Sequence, residues 1–383
     1  MTKRITRRTI LTLGAAAAAA IPTGTAWAGR RVQPAVAKAG PQGDERPARL
    51  AELIQGSGVP GMSVAVIQDG SLAWTHALGV ADVTSGRPVT EHSVFQAASL
   101  TKPLCAYVTL ALCEQGRMSL DVPIRDYAPA ESLSNSARAN QITARLILSH
   151  SSGLPAFRPA RGRLTPKTTP GTAFSYSGAG YELLQEAVEQ VTGEALEDYA
   201  ARTVFVPLGM RESGLVWRPE YEVSAAAGHD WDGSIVRDVS RPARANAAGS
   251  LHTTPSDFAR LMIEMISSGR TSALGLDYVY KRMATSPQIR LANGLAWGLG
   301  WGLGLDPAGG CFWHFGDSRG YMCHAIAFPA RRSGVVVFSN GRRGLRLAEK
   351  TADMLLEDPQ SRASQSQVFK WIYDVFYEGQ LRL

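Results

Sequence analysis

The sequence predicts an α+β protein: an antiparallel sheet built from both ends of the chain, flanked by helices, with a mostly helical lobe inserted between the two sets of strands. Two observations predict it. Short apolar runs suited to strands lie near residues 62–78 and 312–339, whereas the interval from about 100 to 290 carries apolar residues at helical spacing. Glycine and proline, 38 and 21 of the 383 residues, punctuate the gaps between these runs. At 45% hydrophobic and 19% charged residues the chain has ample material for a core, which excludes a disordered or collagen-like protein.

From the amino end, Lys3, Arg4, Arg7 and Arg8 precede an apolar run, Ile10 to Ile21, and the small-x-small pattern Ala26-Trp27-Ala28. Residues 1–28 read as a secretory signal, the alternative being a retained anchor, although the run is shorter than the ~20 residues of a membrane span. Thr6-Arg7-Arg8-Thr9-Ile10-Leu11 resembles a twin-arginine signal, which implies export of an already folded protein to a periplasmic or extracellular location. Without those four basic residues the net charge falls from +7 to +3, too little to predict a nucleic-acid partner. No later stretch predicts a membrane span, and the sequence does not determine an oligomeric state.

Residues 29–47, rich in glycine and proline, read as a flexible linker. The body is expected over 48–360, with sheet regions 48–98 and 296–357 and the helical lobe at about 100–290. A helix at Ala48–Gln55 leads to two strands, Met62–Gln68 and Leu72–Leu78, joined through Asp69-Gly70, a two-residue hairpin turn. Helices are predicted at Leu100–Gln115, Thr143–Leu148, Tyr181–Val191, Leu196–Val204 and Ser256–Ser267. Strands at Phe312–Phe315, Tyr321–Phe328 and Gly334–Ser339 follow, then a helix at Leu345–Leu356. A helical extension over 361–383 carries Val368, Trp371, Ile372, Val375 and Phe376 as an apolar stripe, read as packing on the body of the same chain, the alternatives being a dimer or a membrane contact.

Cys105, Cys113, Cys311 and Cys323 show no spacing that predicts a metal or redox site. Cys105 and Cys113 sit about 12 Å apart on one predicted helix, too far to bridge. Cys311 and Cys323 flank a predicted hairpin, and a bond between them is left open.

Only seven of the 40 basic residues are lysines, and arginine cannot act as a base in a protein. Lys102 alone among them has a serine three residues before it, in Ala98-Ser99-Leu100-Thr101-Lys102. Three residues on a helix place both side chains on one face, so a desolvated Lys102 amine could take the proton of Ser99. Ser99 also precedes a helix, whose dipole favours a developing alkoxide. Alone, the pair is equally read as a helix-capping serine beside a solvated lysine.

Neighbouring segments narrow the choice. Ser93–Lys102, Leu146–Pro155 (LILSHSSGLP), Pro170–Tyr181 (PGTAFSYSGAGY), Ala248–Phe258 (AGSLHTTPSDF), Trp297–Trp301 (WGLGW) and Trp313–Tyr321 (WHFGDSRGY) resemble, in order, the landmarks of the serine β-lactamase and penicillin-binding-protein superfamily. The resemblance is to its class C β-lactamase, DD-carboxypeptidase and esterase branch and spans about residues 50–357. It implies a β-lactamase-like fold and a serine hydrolase without metal or organic cofactor. It also implies Ser99 as nucleophile, Lys102 as its base and Tyr176 as a phenol sharing their protons. Tyr176-Ser177-Gly178 stands where the family has Tyr, a small residue and Asn; Gly178 therefore lacks the amide that touches the substrate in the family.

His314-Phe315-Gly316 stands at the family's third motif, keeping a cation-capable residue and the glycine but not the hydroxyl between them. The resemblance gives His314 and Gly316 a place beside the substrate, and pairs the backbone N–H of Asp317 with that of Ser99 as an oxyanion hole. His314 reads alternatively as a core histidine. Arg319 is either a substrate-carboxylate anchor or a solvated turn residue. Ester, peptide and β-lactam substrates all remain open, as does a non-catalytic binder of penicillin or peptidoglycan peptides; the loss of polar contacts at Gly178 and Phe315 favours esters or peptides over lactams. Gly316-Asp317-Ser318-Arg319-Gly320 is only superficially like a chymotrypsin-type nucleophile loop, no G-x-S-x-G elbow occurs, and His150 reads as structural.

Overall fold

The computed structural model describes residues 44–377, apart from residues 130, 238, 271–274 and 308. The expected signal segment and nearly all of the linker lie outside the described residues. The strands are β1 (Gly61–Gln68), β2 (Ser71–Asp82), β3 (Arg87–Pro88), β4 (Phe95–Ala98), β5 (Leu251–Thr253), β6 (Ile289–Arg290), β7 (Leu295–Trp297), β8 (Gly302–Gly304), β9 (Cys311–Ser318), β10 (Tyr321–Phe328) and β11 (Ser333–Ser339). Among the described residues nine of them form one antiparallel sheet in the order β3-β2-β1-β11-β10-β9-β8-β7-β6, while β4 and β5 pair separately. The two chain ends meet where β1 pairs with β11, Met62 opposite Ser339 and Ile67 opposite Gly334.

The local chemistry explains the hairpin at the sheet's start. Asp69 and Gly70 have φ of 53° and 71°, the two positive values of a type I′ turn, whose twist matches that of the strands it joins. Side-chain alternation then divides the core. Val64, Val335, Val337, Met322, Ile326, Trp313 and Phe315 face one side, where helices Arg46–Gln55, Gly344–Leu355 and Pro359–Phe376 cover them. Ala65, Ile67, Val336, Phe338, Cys323 and Ala325 face the other, against helices Thr101–Glu114, Gly178–Thr192 and Pro255–Ile266 of the helical lobe.

Short strands β3 to β8 escape the sequence reading because two to four residues give no measurable period. The expected helix over Leu196–Val204 is α-helical only to Ala200, widens into a π-turn over Ala201–Phe205 and stops at Gly209, whose φ is 71°. All four cysteines are free. Cys323 lies opposite Gly316, five residues along β9 from Cys311, which puts the two roughly 17 Å apart and removes the disulfide left open above. None of the described helices is long and apolar enough to cross a membrane.

Candidate active site

The site forms where β4 ends against the first turn of helix Thr101–Glu114. Ala98, the last residue of β4, has φ of 47°, a left-handed conformation costly for a residue with a Cβ. The tight turn is held by the Leu100 N–H donating to Ala97 O (3.1 Å) and the Thr101 hydroxyl donating to Ala98 O (2.6 Å). Ser99 is thereby lifted, half-buried, to the amino end of the helix. It does not cap that helix.

Lys102 follows one turn on and is 2% exposed. Its Nζ donates to Ser99 Oγ at 3.0 Å and to the backbone O of Ala248 at 2.6 Å. Among the described residues no carboxylate lies within ion-pairing distance of it. Burial pushes its pKa from the ordinary 10.5 down to about 7, so near neutrality much of it is an uncharged amine.

Tyr176 completes the group. Its phenol is electrostatically coupled to the Ser99 side chain, and Lys102 Nζ lies 4.8 Å from its ring centroid. Burial raises the phenol above its ordinary pKa, outweighing the opposing influence of Ser99. In the resting site the tyrosine is therefore the protonated partner and the lysine the basic one.

His150 holds Tyr176 in place from both sides in sequence. Its backbone O accepts the Ser175 N–H (2.7 Å), its Nδ1 accepts the Ser177 N–H (3.0 Å), and its ring lies 4.2 Å from that of Tyr176. Burial and the nearby Lys102 keep the ring neutral, and its backbone φ is 54°. The structural role expected of His150 is thus specific: it positions the tyrosine. No local pattern announces this, because the bonds join segments 25 and 27 residues apart.

On the sheet side, β8 pairs with β9 only as far as Trp313, so beyond that residue the edge of β9 turns toward β4. Gly316 permits the approach: a Cβ there would stand 2.0 Å from the backbone O of Ala97. Gly316 thus lies against Ala97 and Ala98, the two residues that precede Ser99. His314 is fully buried, its Nδ1 is bonded to Phe315 O (2.8 Å), and burial with Lys102 lowers its pKa to about 3. It is a neutral imidazole and supplies no positive charge to a substrate. Its ring centroid lies 6.4 Å from that of Tyr176, and its Nε2 has no hydrogen-bond partner among the described residues.

Phe315 points to the opposite face of β9, where it packs 5.1 Å from Phe376; it fills the back of the sheet and does not replace a polar substrate contact. Arg319 lies exposed in the β9–β10 hairpin, next to the site in sequence and outside its buried core. Gly178 starts the helix capped by Ser177, whose Oγ accepts the Gly180 N–H (2.9 Å). A Cβ at 178 would meet Ala156 O at 2.9 Å, so a side chain there requires the Pro155–Ala156 backbone to move. The described residues contain no cluster of three or more His, Cys, Asp or Glu able to hold a metal.

The model of the family described as "Beta-lactamase" matches residues 47–357. The chain belongs to the beta-lactamase family. Its relatives include penicillin-binding protein 4 of Amycolatopsis lactamdurans, 28% identical over 319 residues, which are 74% of this chain and 81% of that protein. Esterase EstB of Burkholderia gladioli is 30% identical over 204 residues, 45% of this chain and 51% of the esterase. Among solved structures, a class C beta-lactamase superposes with a TM-score of 0.73 at 22% identity, covering 82% of this chain and 96% of the other, a likeness of fold. The names of these relatives are those of a penicillin-binding protein and an esterase. Membership makes the protein β-lactamase- and penicillin-binding-protein-like and leaves its own substrate open.

Proposed function

We propose that the protein is an exported serine hydrolase that works through an acyl-enzyme on Ser99, with ester or amide and peptide substrates. The observation that carries this reading is the buried Lys102 amine, 3.0 Å from Ser99 Oγ and with a pKa near 7. A solvated lysine at that distance would remain an ammonium and could not accept a proton.

In this reading Lys102 takes the Ser99 proton as Oγ bonds to the substrate carbonyl carbon. The resulting oxyanion is held by the backbone N–H groups of Ser99 and Asp317, at the positive end of the helix. Tyr176, whose phenol interacts with Ser99 and whose ring lies beside Lys102, gives its proton to the leaving oxygen or nitrogen and recovers one from Lys102. Water then attacks the acyl carbon, losing a proton to the same pair, and Ser99 leaves with its hydroxyl restored. No cofactor enters the scheme.

Gly178 supports esters over lactams and peptides, since the amide that the family presents to lactam and peptide groups is missing here. Phe315 no longer contributes to that preference, because it faces the back of the sheet. Class C-type β-lactamase or DD-carboxypeptidase activity is the neighbouring reading within the same chemistry. His314 and Gly316 border the acyl site in all of them, and export rests on residues 1–28.

The test is incubation with a fluorophosphonate and a p-nitrophenyl ester, read by intact mass and product release, with a chromogenic cephalosporin and a D-alanyl peptide alongside. Labelling of Ser99 with ester turnover, both lost in Ser99→Ala, is the expected result. No labelling and no turnover would instead leave a penicillin- or peptide-binding protein. Export is tested separately: Arg7→Lys with Arg8→Lys should block it, and undiminished export would exclude the twin-arginine route.

A further inference from the structure

The family match ends at residue 357, and helix Pro359–Phe376 begins two residues later. Val368, Phe369, Trp371 and Ile372 bury the inner face of this helix on the back of the sheet. Trp371 lies 5.5 Å from Trp313 and 5.8 Å from Phe174, ring centre to ring centre. The helix is therefore firmly seated, and what its end touches is fixed with it.

That end reaches the catalytic elements. Phe376 sets its ring edge-on to Tyr176 (5.4 Å) and to Phe315 (5.1 Å), bridging the tyrosine loop of the helical lobe and the β9 strand. It does so beyond Trp313, where pairing of β9 with β8 has ended and β9 lies against β4 instead. The next residue, Tyr377, donates its hydroxyl to Asp317 Oδ2 at 2.5 Å. In the hydrolase reading, Asp317 is the residue whose backbone N–H is the second oxyanion donor. Two consecutive residues outside the family segment thus hold the proton-sharing phenol and the oxyanion strand.

We infer that Phe376 and Tyr377 are positioning residues, a clamp by which the C-terminal helix fixes the spacing between Tyr176 and the Gly316–Asp317 backbone. The inference rests on the serine hydrolase reading and deepens it. Phe315 follows naturally: where the family has a hydroxyl-bearing or small residue on this strand, this chain has the aromatic ring that Phe376 abuts. A phenol and an oxyanion donor must both be placed to within a fraction of an ångström, since a displacement of about 1 Å can cost roughly 100-fold in rate.

The experiment is steady-state kinetics of the full-length protein on a p-nitrophenyl ester, with the rate of fluorophosphonate labelling and the thermal midpoint measured in parallel. Phe376→Ala should lower kcat by about 10-fold or more, and Tyr377→Phe by about 3- to 10-fold, with KM changed less than 2-fold. Labelling should slow by matching factors, because it uses the same oxyanion donors. Phe376→Leu, which keeps apolar bulk, should recover most of the loss, and Tyr377→Phe should leave the thermal midpoint within a degree or two. Wild-type kcat and labelling in both variants would overturn the clamp while leaving the hydrolase reading intact. So would losses that merely track the fraction unfolded, or that appear in KM alone. Absence of Ser99 labelling in the wild type and in every variant would overturn the hydrolase reading, and the clamp with it.

Discussion

Two lysines are buried equally deeply in this protein and face opposite fates. Lys281 is 1% exposed and ion-pairs with Glu264, Nζ to Oε1 2.7 Å, while donating to Gly269 O at 2.5 Å. Lys102 is 2% exposed and has a serine hydroxyl and a carbonyl in place of a carboxylate. Burial disfavours both ammonium groups, but a carboxylate at contact distance offsets that cost and a neutral hydroxyl does not. Depth alone therefore does not make a lysine a base. The group facing it decides whether it staples the fold or moves a proton.

The largest expected effect separates these roles directly. Lys102→Arg keeps a cation but removes a group that can lose its proton, and should lower kcat by roughly 100- to 10,000-fold with the fold retained. Near-wild-type turnover would mean that Lys102 supplies charge only, and the contrast with Lys281 would disappear.

Lys281→Met should show the reverse pattern. Removing the cation opposite Glu264 is expected to cost about 3–5 kcal/mol in urea unfolding while kcat of the folded fraction stays within about 2-fold. Adding Glu264→Leu should return much of the stability, since a packed apolar pair avoids the desolvation of both charges. A catalytic defect without loss of stability would refute the structural assignment.

The pH dependence sharpens the comparison further. Lys102 must lose its proton to act, so kcat/KM should rise about 10-fold per pH unit below 7 and level off above it. Its folded pKa lies below its unfolded value, so between about pH 7 and 10.5 the unfolded chain binds more protons and stability increases with pH. The cost of burying Lys102 is full below pH 7 and gone above 10.5. Lys102→Met should accordingly stabilise the protein by a few kcal/mol at pH 6 and by almost nothing near pH 11. A pH-independent difference in urea midpoint would contradict the lowered pKa.

The smallest expected effect lies at the exposed rim. If Arg319 grips a substrate carboxylate, Arg319→Ala should raise KM for carboxylate-bearing substrates by about 10-fold and spare neutral esters. An equal change for both classes would place Arg319 outside recognition.

Legibility in the sequence followed the range of the interactions. The Asp69-Gly70 hairpin, the helices around Leu104 and Leu183, and the pairing of the chain ends into one sheet were readable because alternation, helical period and turn residues are local signals. The Ser99–Lys102 spacing was local too. Gly178 shows the limit: its missing side chain reads as a lost contact, and only the fold reveals the Ala156 carbonyl that would have to give way before a substituent at 178 could reach a substrate. Restoring Asn there is thus a backbone problem before it is a substrate problem. His314 reads as cation-capable, whereas its burial beside Lys102 makes it neutral.

By itself, then, the sequence determined the kind of fold, the family and the order of the residues able to do chemistry, since each depends on neighbours a few positions apart. The tertiary structure decided the protonation of Lys102 and Tyr176, because desolvation depends on what the rest of the chain packs over them. It likewise decided that His150 would hold the tyrosine loop, through bonds across 25 and 27 residues, and that Phe376 and Tyr377 would reach Tyr176 and Asp317. Such contacts are set by where a rigid helix ends once its buried face has found the sheet, a geometry that no local pattern in the chain encodes.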